Sequence, residues 1–377
     1  MAIRYAGKKA KTILRIYRTI DPWFWCRYGI NVYQGCEFAC TYCDSRSHRY
    51  HLHSNFDQLI YIKENAAELL DDRLSRARSL LPDVVALSGA GDPYQPAEER
   101  FGMTRKCLEV LADHKFPVHV MTKSDLVLRD LDILKRIADD SWCSVSFTVT
   151  TMNEDIASFL EPRAPVPQLR MEALRKVKEA GIQTGVNMMP LVPFLCDSLE
   201  SIERVVMAAE DSGADHILFS GMTMRDDQAR WYLRRLGERY PDLVGPTLEL
   251  YGSDTDHLDG FSGNYNPLGG YYADINTRVL GICERSLVPV RMNRFIPGDF
   301  RRENYLLSQQ LFNEAFRERT RGNIWKPLHY AAMSIQSLKE PVRAIAGRGE
   351  LGGVGNIDGE LERRILTLFK EPVQSRL

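Results

Sequence analysis

Gly35-Cys36-Glu37-Phe38-Ala39-Cys40-Thr41-Tyr42-Cys43 places three thiols at i, i+4 and i+7, directly after the β-rich run Gly29–Gln34. Three of the chain's eight cysteines crowd into these eight positions, while Cys26, Cys107, Cys143, Cys196 and Cys283 are scattered. That is too sparse for a secreted disulfide framework and fits a ligand cluster in a reducing compartment. Three thiolates on one tight loop can each take one iron of a [4Fe–4S] cubane, which leaves the fourth iron open to a substrate. A structural zinc site is the alternative, with Cys26, His48, His51 or His53 as fourth ligand, although zinc usually takes paired C-x2-C ligands and no second pair exists.

Outward from this loop, β-rich runs alternate with amphipathic stretches. The strands are expected at Gly29–Gln34, Val84–Ser88, Val118–Thr122, Ser144–Thr150, Thr184–Leu191 and His216–Ser220. Several are nearly continuous apolar runs, the mark of strands buried on both faces of a parallel sheet. Helices are expected at Asn65–Leu81, Glu98–His114, Asp125–Asp139, Val166–Ala180 and Ser198–Ser212. Six strand–helix repeats imply right-handed crossovers. The spacing predicts a partial, six-stranded TIM-like (β/α) barrel over residues 29–222, with residues 1–28 as a lead-in. Residues 223–377 then form a mostly helical and loop extension on the barrel. Within it, 252–275 reads as loop, 303–319 and 358–370 as helix, and Ile345–Gly359, with six glycines, as a flexible or tightly turning stretch. The aromatic run Trp23-Phe24-Trp25 is expected to pack on the barrel's base or flank.

Composition excludes several classes. The net charge is −1 with 26% charged and 44% hydrophobic residues, an ordinary globular balance and no globally cationic nucleic-acid binder. Residues 1–19 lack the apolar core of a signal peptide, and the longest apolar run, Met188–Cys196, is nine residues with two prolines, so no membrane span and a cytoplasmic location are expected. Between Glu284 and Glu350, 12 Lys or Arg face 7 Asp or Glu with aromatics interspersed. That suits either a polynucleotide or ordinary amphipathic helices packing on the barrel.

The C-x3-C-x2-C spacing, with aromatic Tyr42 before the last cysteine, resembles the radical S-adenosylmethionine superfamily. The runs Asn31–Cys43, Ser88–Pro93, Thr122–Ser124, Glu161–Pro165 and Gly185–Pro193 are similar to its spore photoproduct lyase-like branch, over roughly residues 26–222. The resemblance implies a [4Fe–4S] cluster on Cys36, Cys40 and Cys43, S-adenosyl-L-methionine as second cofactor, and a flavodoxin- or ferredoxin-like reducing partner. It places Gly89, Gly91 and Asp92 near the methionine ammonium, with Lys123 on the methionine carboxylate and Ser146 on the ribose or carboxylate. Arg163 becomes a carboxylate clamp, Asn187 a reader of the ribose, and Cys196 a candidate radical relay or hydrogen donor. Every one of these falls at a strand's carboxy-terminal end, where such barrels keep their sites. True spore photoproduct lyases carry a hydrogen-donating cysteine near the end of strand 2, whereas Val85–Gly89 has none. The implied function is a radical enzyme acting on a nucleic acid, a peptide or a metabolite; a non-catalytic zinc or Fe–S nucleic-acid-binding module is the alternative.

Overall fold

The computed structural model describes residues 2–77, 79–87, 89–253, 261–286 and 288–370. The chain divides into two compact units, residues 1–16 with 28–292 and residues 17–27 with 293–377.

Among the described residues the first unit holds ten strands: β1 Arg4–Lys8, β2 Arg15–Ile16, β3 Tyr28–Ile30, β4 Tyr33–Gln34, β5 Leu59–Lys63, β6 Val85–Leu87, β7 Val118–Thr122, β8 Cys143–Thr148, β9 Gln183–Leu191 and β10 His216–Gly221. Seven form a sheet in the order β10-β9-β8-β7-β6-β3-β2, parallel throughout except for the antiparallel edge strand β2. Helices connect them: α1 Ala66–Arg76, α2 Pro96–Phe101, α3 Met103–Asp113, α4 Leu131–Asp140, α5 Glu154–Leu160, α6 Pro167–Glu179 and α7 Leu199–Asp211, then α8 Asp226–Arg239, α9 Val244–Leu250 and α10 Tyr271–Ser286. The chain is therefore an α/β protein built on a mostly parallel sheet.

Strand alternation separates two faces of very different character. Val118, Val120, Val145, Phe147, Val186, Met188, Ile217 and Phe219 share one face, all of them buried, and helices α4, α6, α7 and α10 pack against the strands. The opposite face carries His119, Ser144, Ser146, Asn187 and His216, which are equally buried. The Ser146 hydroxyl lies 2.8 Å from His119 Nε2 and 3.3 Å from His216 Nε2. Gly185 sits between Ser146 and His216 in the register, and a methyl group there would lie 2.3 Å from the His216 ring. Only glycine leaves room for that imidazole.

Burial pushes the His216 pKa from 6.5 down to about 4. The folded state thus holds His216 neutral where the unfolded chain is already protonated. Its contribution to stability is fully present above the unfolded value and is lost as pH falls toward the folded one. Stability is expected to fall by roughly 3 kcal/mol across that range. Urea unfolding followed over the same range checks this, and His216→Asn should flatten the slope.

The predicted strand Gly29–Gln34 is divided. Tyr28–Ile30 stays in the large sheet, while Tyr33–Gln34 turns into a separate three-stranded sheet, β1-β5-β4. Lys63 causes part of the switch, its ammonium donating to Asn31 O at 2.6 Å and its N–H to Val32 O at 3.0 Å. The predicted helix Glu98–His114 is likewise two helices, because Gly102 adopts φ +60° between α2 and α3. The first part of the predicted helix Asp125–Asp139 is a 3-10 turn, Asp125–Asp130, capped by Ser124.

Residues 223–292 cluster with the sheet. Met222 N–H donates to Leu191 O, Tyr251 hydroxyl to Met222 O at 2.6 Å, and Ile217 N–H to Pro289 O at 2.8 Å. Of the predicted loop 252–275, residues 254–260 lie outside the described residues, and Tyr271 already opens α10 after Gly269 and Gly270 at positive φ.

The second unit contains α11 Arg301–Thr320, α12 Lys326–Gln336, α13 Val342–Gly347 and α14 Gly359–Lys370. The run Trp23–Trp25 belongs to it. Trp23 packs edge-on against Phe316 and Trp25 lies tilted against Phe312, so these aromatics pack on α11. Among the described residues no helix is long and apolar enough to cross a membrane.

Candidate functional site

The cysteine loop leaves β4 through Gly35 at φ +108°, and Cys36 N–H donates to Phe56 O at 2.9 Å. Two neighbouring segments hold it. Gln95 donates through Nε2 to Gly35 O at 3.0 Å and accepts the Glu37 N–H through Oε1 at 3.0 Å. Glu37 in turn accepts from Ala97 N–H at 2.6 Å and from the Tyr5 hydroxyl at 3.0 Å. On the other side Thr41 N–H donates to Leu160 O at 2.8 Å, and the Gln228 amide donates to Tyr42 O at 3.2 Å. This many main-chain anchors fix a loop that contains no regular structure of its own.

Cys36, Cys40 and Cys43 are all free thiols, half-buried, buried and half-buried in turn. Burial pushes the Cys36 thiol up, with Asp92, Cys40 and Cys43 adding to the shift. Cys40 is pushed up to about 12 by burial, against the opposing pull of Lys123 and with a further push from Glu161 and Cys43. A bound cationic group would favour the thiolate form of Cys36 and Cys40. Among the described residues no three His, Cys, Asp or Glu side chains close on a point as a single metal ion requires. A cubane takes each thiolate on a separate iron and needs no such point. Of the candidate fourth ligands for zinc, His48 pairs with Asp227 at 2.8 Å, His53 bonds Leu59 O at 2.8 Å, and the Cys26 thiol donates to Phe24 O at 3.2 Å.

The turn after β6 lies directly against this loop. Ser88 lies outside the described residues; Gly89 packs beside the Asn31 side chain, and Gly91 touches the Gly35 carbonyl. A methyl on Gly91 would sit 2.5 Å from Gly35 O, a main-chain atom that cannot swing away. Gly91→Ala is expected to destabilise the protein by about 1–3 kcal/mol and to loosen the loop. Thermal melting together with metal retention checks this.

Asp92 ties the ends of β6 and β7 together. It accepts from the Thr122 hydroxyl at 2.6 Å, Lys123 N–H at 2.8 Å and Tyr94 N–H at 2.9 Å. Burial nonetheless holds its carboxyl above the usual range. Burial opposes the charge on Lys123, but Cys40, Glu161 and Asp92 outweigh it and hold the ammonium protonated. Lys123 Nζ lies 5.8 Å from the Tyr42 ring centre and makes no ion pair among the described residues.

Other expected site residues are placed differently. Arg163 donates to the main-chain carbonyls of Asp57 at 2.9 Å and Glu37 at 3.5 Å, so it braces the cysteine loop. Ser146 is fully buried between its two histidines. Asn187 is buried on β9 with its Oδ1 unpartnered. Cys196 is fully buried beyond β9; burial pushes its thiol well up, and Glu161 and Asp197 add to the shift.

Sequence reasoning missed a buried polar contact beside the loop. The Tyr42 hydroxyl donates a short hydrogen bond to Glu161 Oε1. Glu161 Oε2 pairs with Arg170 Nη1 at 2.5 Å, and both side chains are 1% exposed. The local motif Glu161-Pro162-Arg163 drew attention to Arg163 and not to Arg170. Arg170 lies nine positions beyond Glu161, on α6, and nothing in spacing alone marks it.

Comparison with known proteins adds the following. The Radical SAM superfamily model matches residues 30–202. An uncharacterised protein of Mycobacterium tuberculosis is 31% identical over 229 residues, which span 60% of this chain and 67% of that one. Among solved structures, a cysteine-to-serine mutant of spore photoproduct lyase is similar with a TM-score of 0.56 and 15% identity, over 74% of this chain and 79% of that one. Spore photoproduct lyase complexed with dinucleoside spore photoproduct gives a TM-score of 0.53 at 15% identity and the same coverage. At that identity the likeness concerns the fold alone.

Proposed function

This chain belongs to the radical S-adenosylmethionine superfamily, and from that premise we propose that it is a radical enzyme whose Cys36, Cys40 and Cys43 hold a [4Fe–4S] cluster. The sheet is read as a partial, six-stranded barrel with the site at the carboxy-terminal strand ends. The observation that carries the reading is three free thiols on one closely anchored loop, with the Lys123 ammonium, which makes no ion pair among the described residues, over the ring of Tyr42 on that same loop. When bound, the cluster would supply the electron that cleaves S-adenosylmethionine into methionine and a 5′-deoxyadenosyl radical, which takes hydrogen from a substrate.

The chain's own residues bind and orient. Lys123 meets the methionine carboxylate, a contact that fits an ammonium held charged among anions. The close-packed Gly89–Gly91 turn gives the methionine ammonium access to main-chain carbonyls, and Asp92 fixes that turn to β7. Tyr42 flanks the same space, and Asn187 offers its unpartnered oxygen to a ribose hydroxyl. Ser146 lies beneath this layer and supports it through His119 and His216. Cys196, buried and protonated, suits a hydrogen donor to a substrate radical. A flavodoxin- or ferredoxin-like carrier supplies the electron in the cytoplasm.

Anaerobic purification tests the reading. The protein is expected to be brown and to carry about four irons per chain. A colourless protein with one zinc per chain would establish the alternative, a non-catalytic metal-stabilised module.

A further inference from the structure

We propose that Glu161, held by Arg170, is a positioning residue that fixes the Tyr42 ring for S-adenosylmethionine, and that its effect falls on cofactor affinity and not on cluster retention. The proposal rests on the reading that Tyr42 faces the bound cofactor.

Tyr42 lies between two cluster ligands in sequence, yet its side chain is governed from another element. Its hydroxyl donates to Glu161 Oε1, while Thr41 N–H donates to Leu160 O, so consecutive residues of the loop are clasped by consecutive residues at the end of α5. Arg170 completes the clasp. Besides the Glu161 carboxylate it binds Pro165 O through Nε at 2.8 Å and Thr148 O through Nη1 at 2.8 Å. Tyr42 is thereby referred to the end of β8 through the buried Glu161–Arg170 pair.

A tyrosine ring has two free side-chain torsions, and fixing its hydroxyl sets both. A carboxylate and a guanidinium buried together seldom add net stability, because their desolvation offsets their attraction. An apolar pair would pack this position as well. What such a pair would not do is hold a phenol at one orientation beside Lys123, whose ammonium lies over the same ring.

The test uses full-length, anaerobically reconstituted protein. Iron per chain, equilibrium binding of S-adenosylmethionine and the electron paramagnetic resonance spectrum of the reduced protein with and without it are read for wild type, Glu161→Gln, Tyr42→Phe and the two combined. Each single variant is expected to keep its iron and to bind the cofactor about tenfold more weakly. The combined variant should be no weaker than either single one, since both remove the same restraint. Glu161→Leu with Arg170→Met guards against misfolding; it should keep iron and show the same weakened binding. Unchanged affinity in Tyr42→Phe, or iron lost in step with affinity, overturns the proposal. A wild-type protein that holds iron but binds no S-adenosylmethionine overturns the functional reading itself, and is recognised before any variant is made.

Discussion

Cys40→Ala is expected to lose its iron and at least about 100-fold of its S-adenosylmethionine cleavage while remaining folded. The size of the effect follows from the geometry. Cys40 is the most buried of the three thiols, and Lys123 and Glu161 both act on it, so it lies at the centre of the charged cluster. Losing one of three protein ligands leaves two on a loop with no fourth thiol to replace it, since the remaining cysteines are buried elsewhere. The cost to folding is small by comparison, on the order of 1 kcal/mol for one buried sulfur. The loop keeps its shape through Gln95, Glu37 and Arg163, whose hydrogen bonds go to Gly35 O, Ala97 N–H and Asp57 O. Iron analysis beside far-ultraviolet circular dichroism separates the two effects. Loss of secondary structure together with iron would mean that the metal, and not these anchors, holds the loop.

Arg170→Met is expected to destabilise the protein by about 3–5 kcal/mol. The change leaves the Glu161 carboxylate buried with the Tyr42 hydroxyl as its remaining hydrogen-bond donor among the described residues. It also removes donors from Thr148 O and Pro165 O. The buried charge dominates, because a carboxylate cut off from water costs several times more than an unmet carbonyl. Glu161→Leu added to Arg170→Met should therefore recover most of the loss, which is the sign that an isolated charge and not lost packing caused it. Urea denaturation midpoints of the three proteins measure this. A loss below about 1 kcal/mol for Arg170→Met would show that water reaches the pair.

Much of the sheet was legible because strands buried on both faces must be continuously apolar. Val118–Thr122 and His216–Ser220 could hardly be anything else once helices separate them. The cysteine loop was legible for a different reason, namely that its chemistry depends on local spacing. Long-range contacts were not. Glu161 and Arg170 find each other, and find Tyr42, only when α5 and α6 are folded against the loop, and no periodicity in the chain records that. The same limit applies to Arg163, whose donation to the main-chain carbonyls of Asp57 and Glu37 no local motif records. Ser146 faces the expected side of its strand, but its hydroxyl meets His119 and His216, residues from β7 and β10. The start of α10 was obscure because it follows a glycine- and tyrosine-rich stretch that reads as loop. The hydroxyls of Tyr251 and Tyr272, which reach back to Met222 O, add to the apolar packing of Ile275, Val279 and Ile282 in holding that region to the sheet's unit.

The most direct test is the release of 5′-deoxyadenosine from S-adenosylmethionine by reconstituted, chemically reduced protein, compared with Cys40→Ala. The wild type is expected to release it above the background set by that variant, slowly in the absence of substrate. Wild-type protein that carries about four irons yet releases no more 5′-deoxyadenosine than Cys40→Ala would contradict the account.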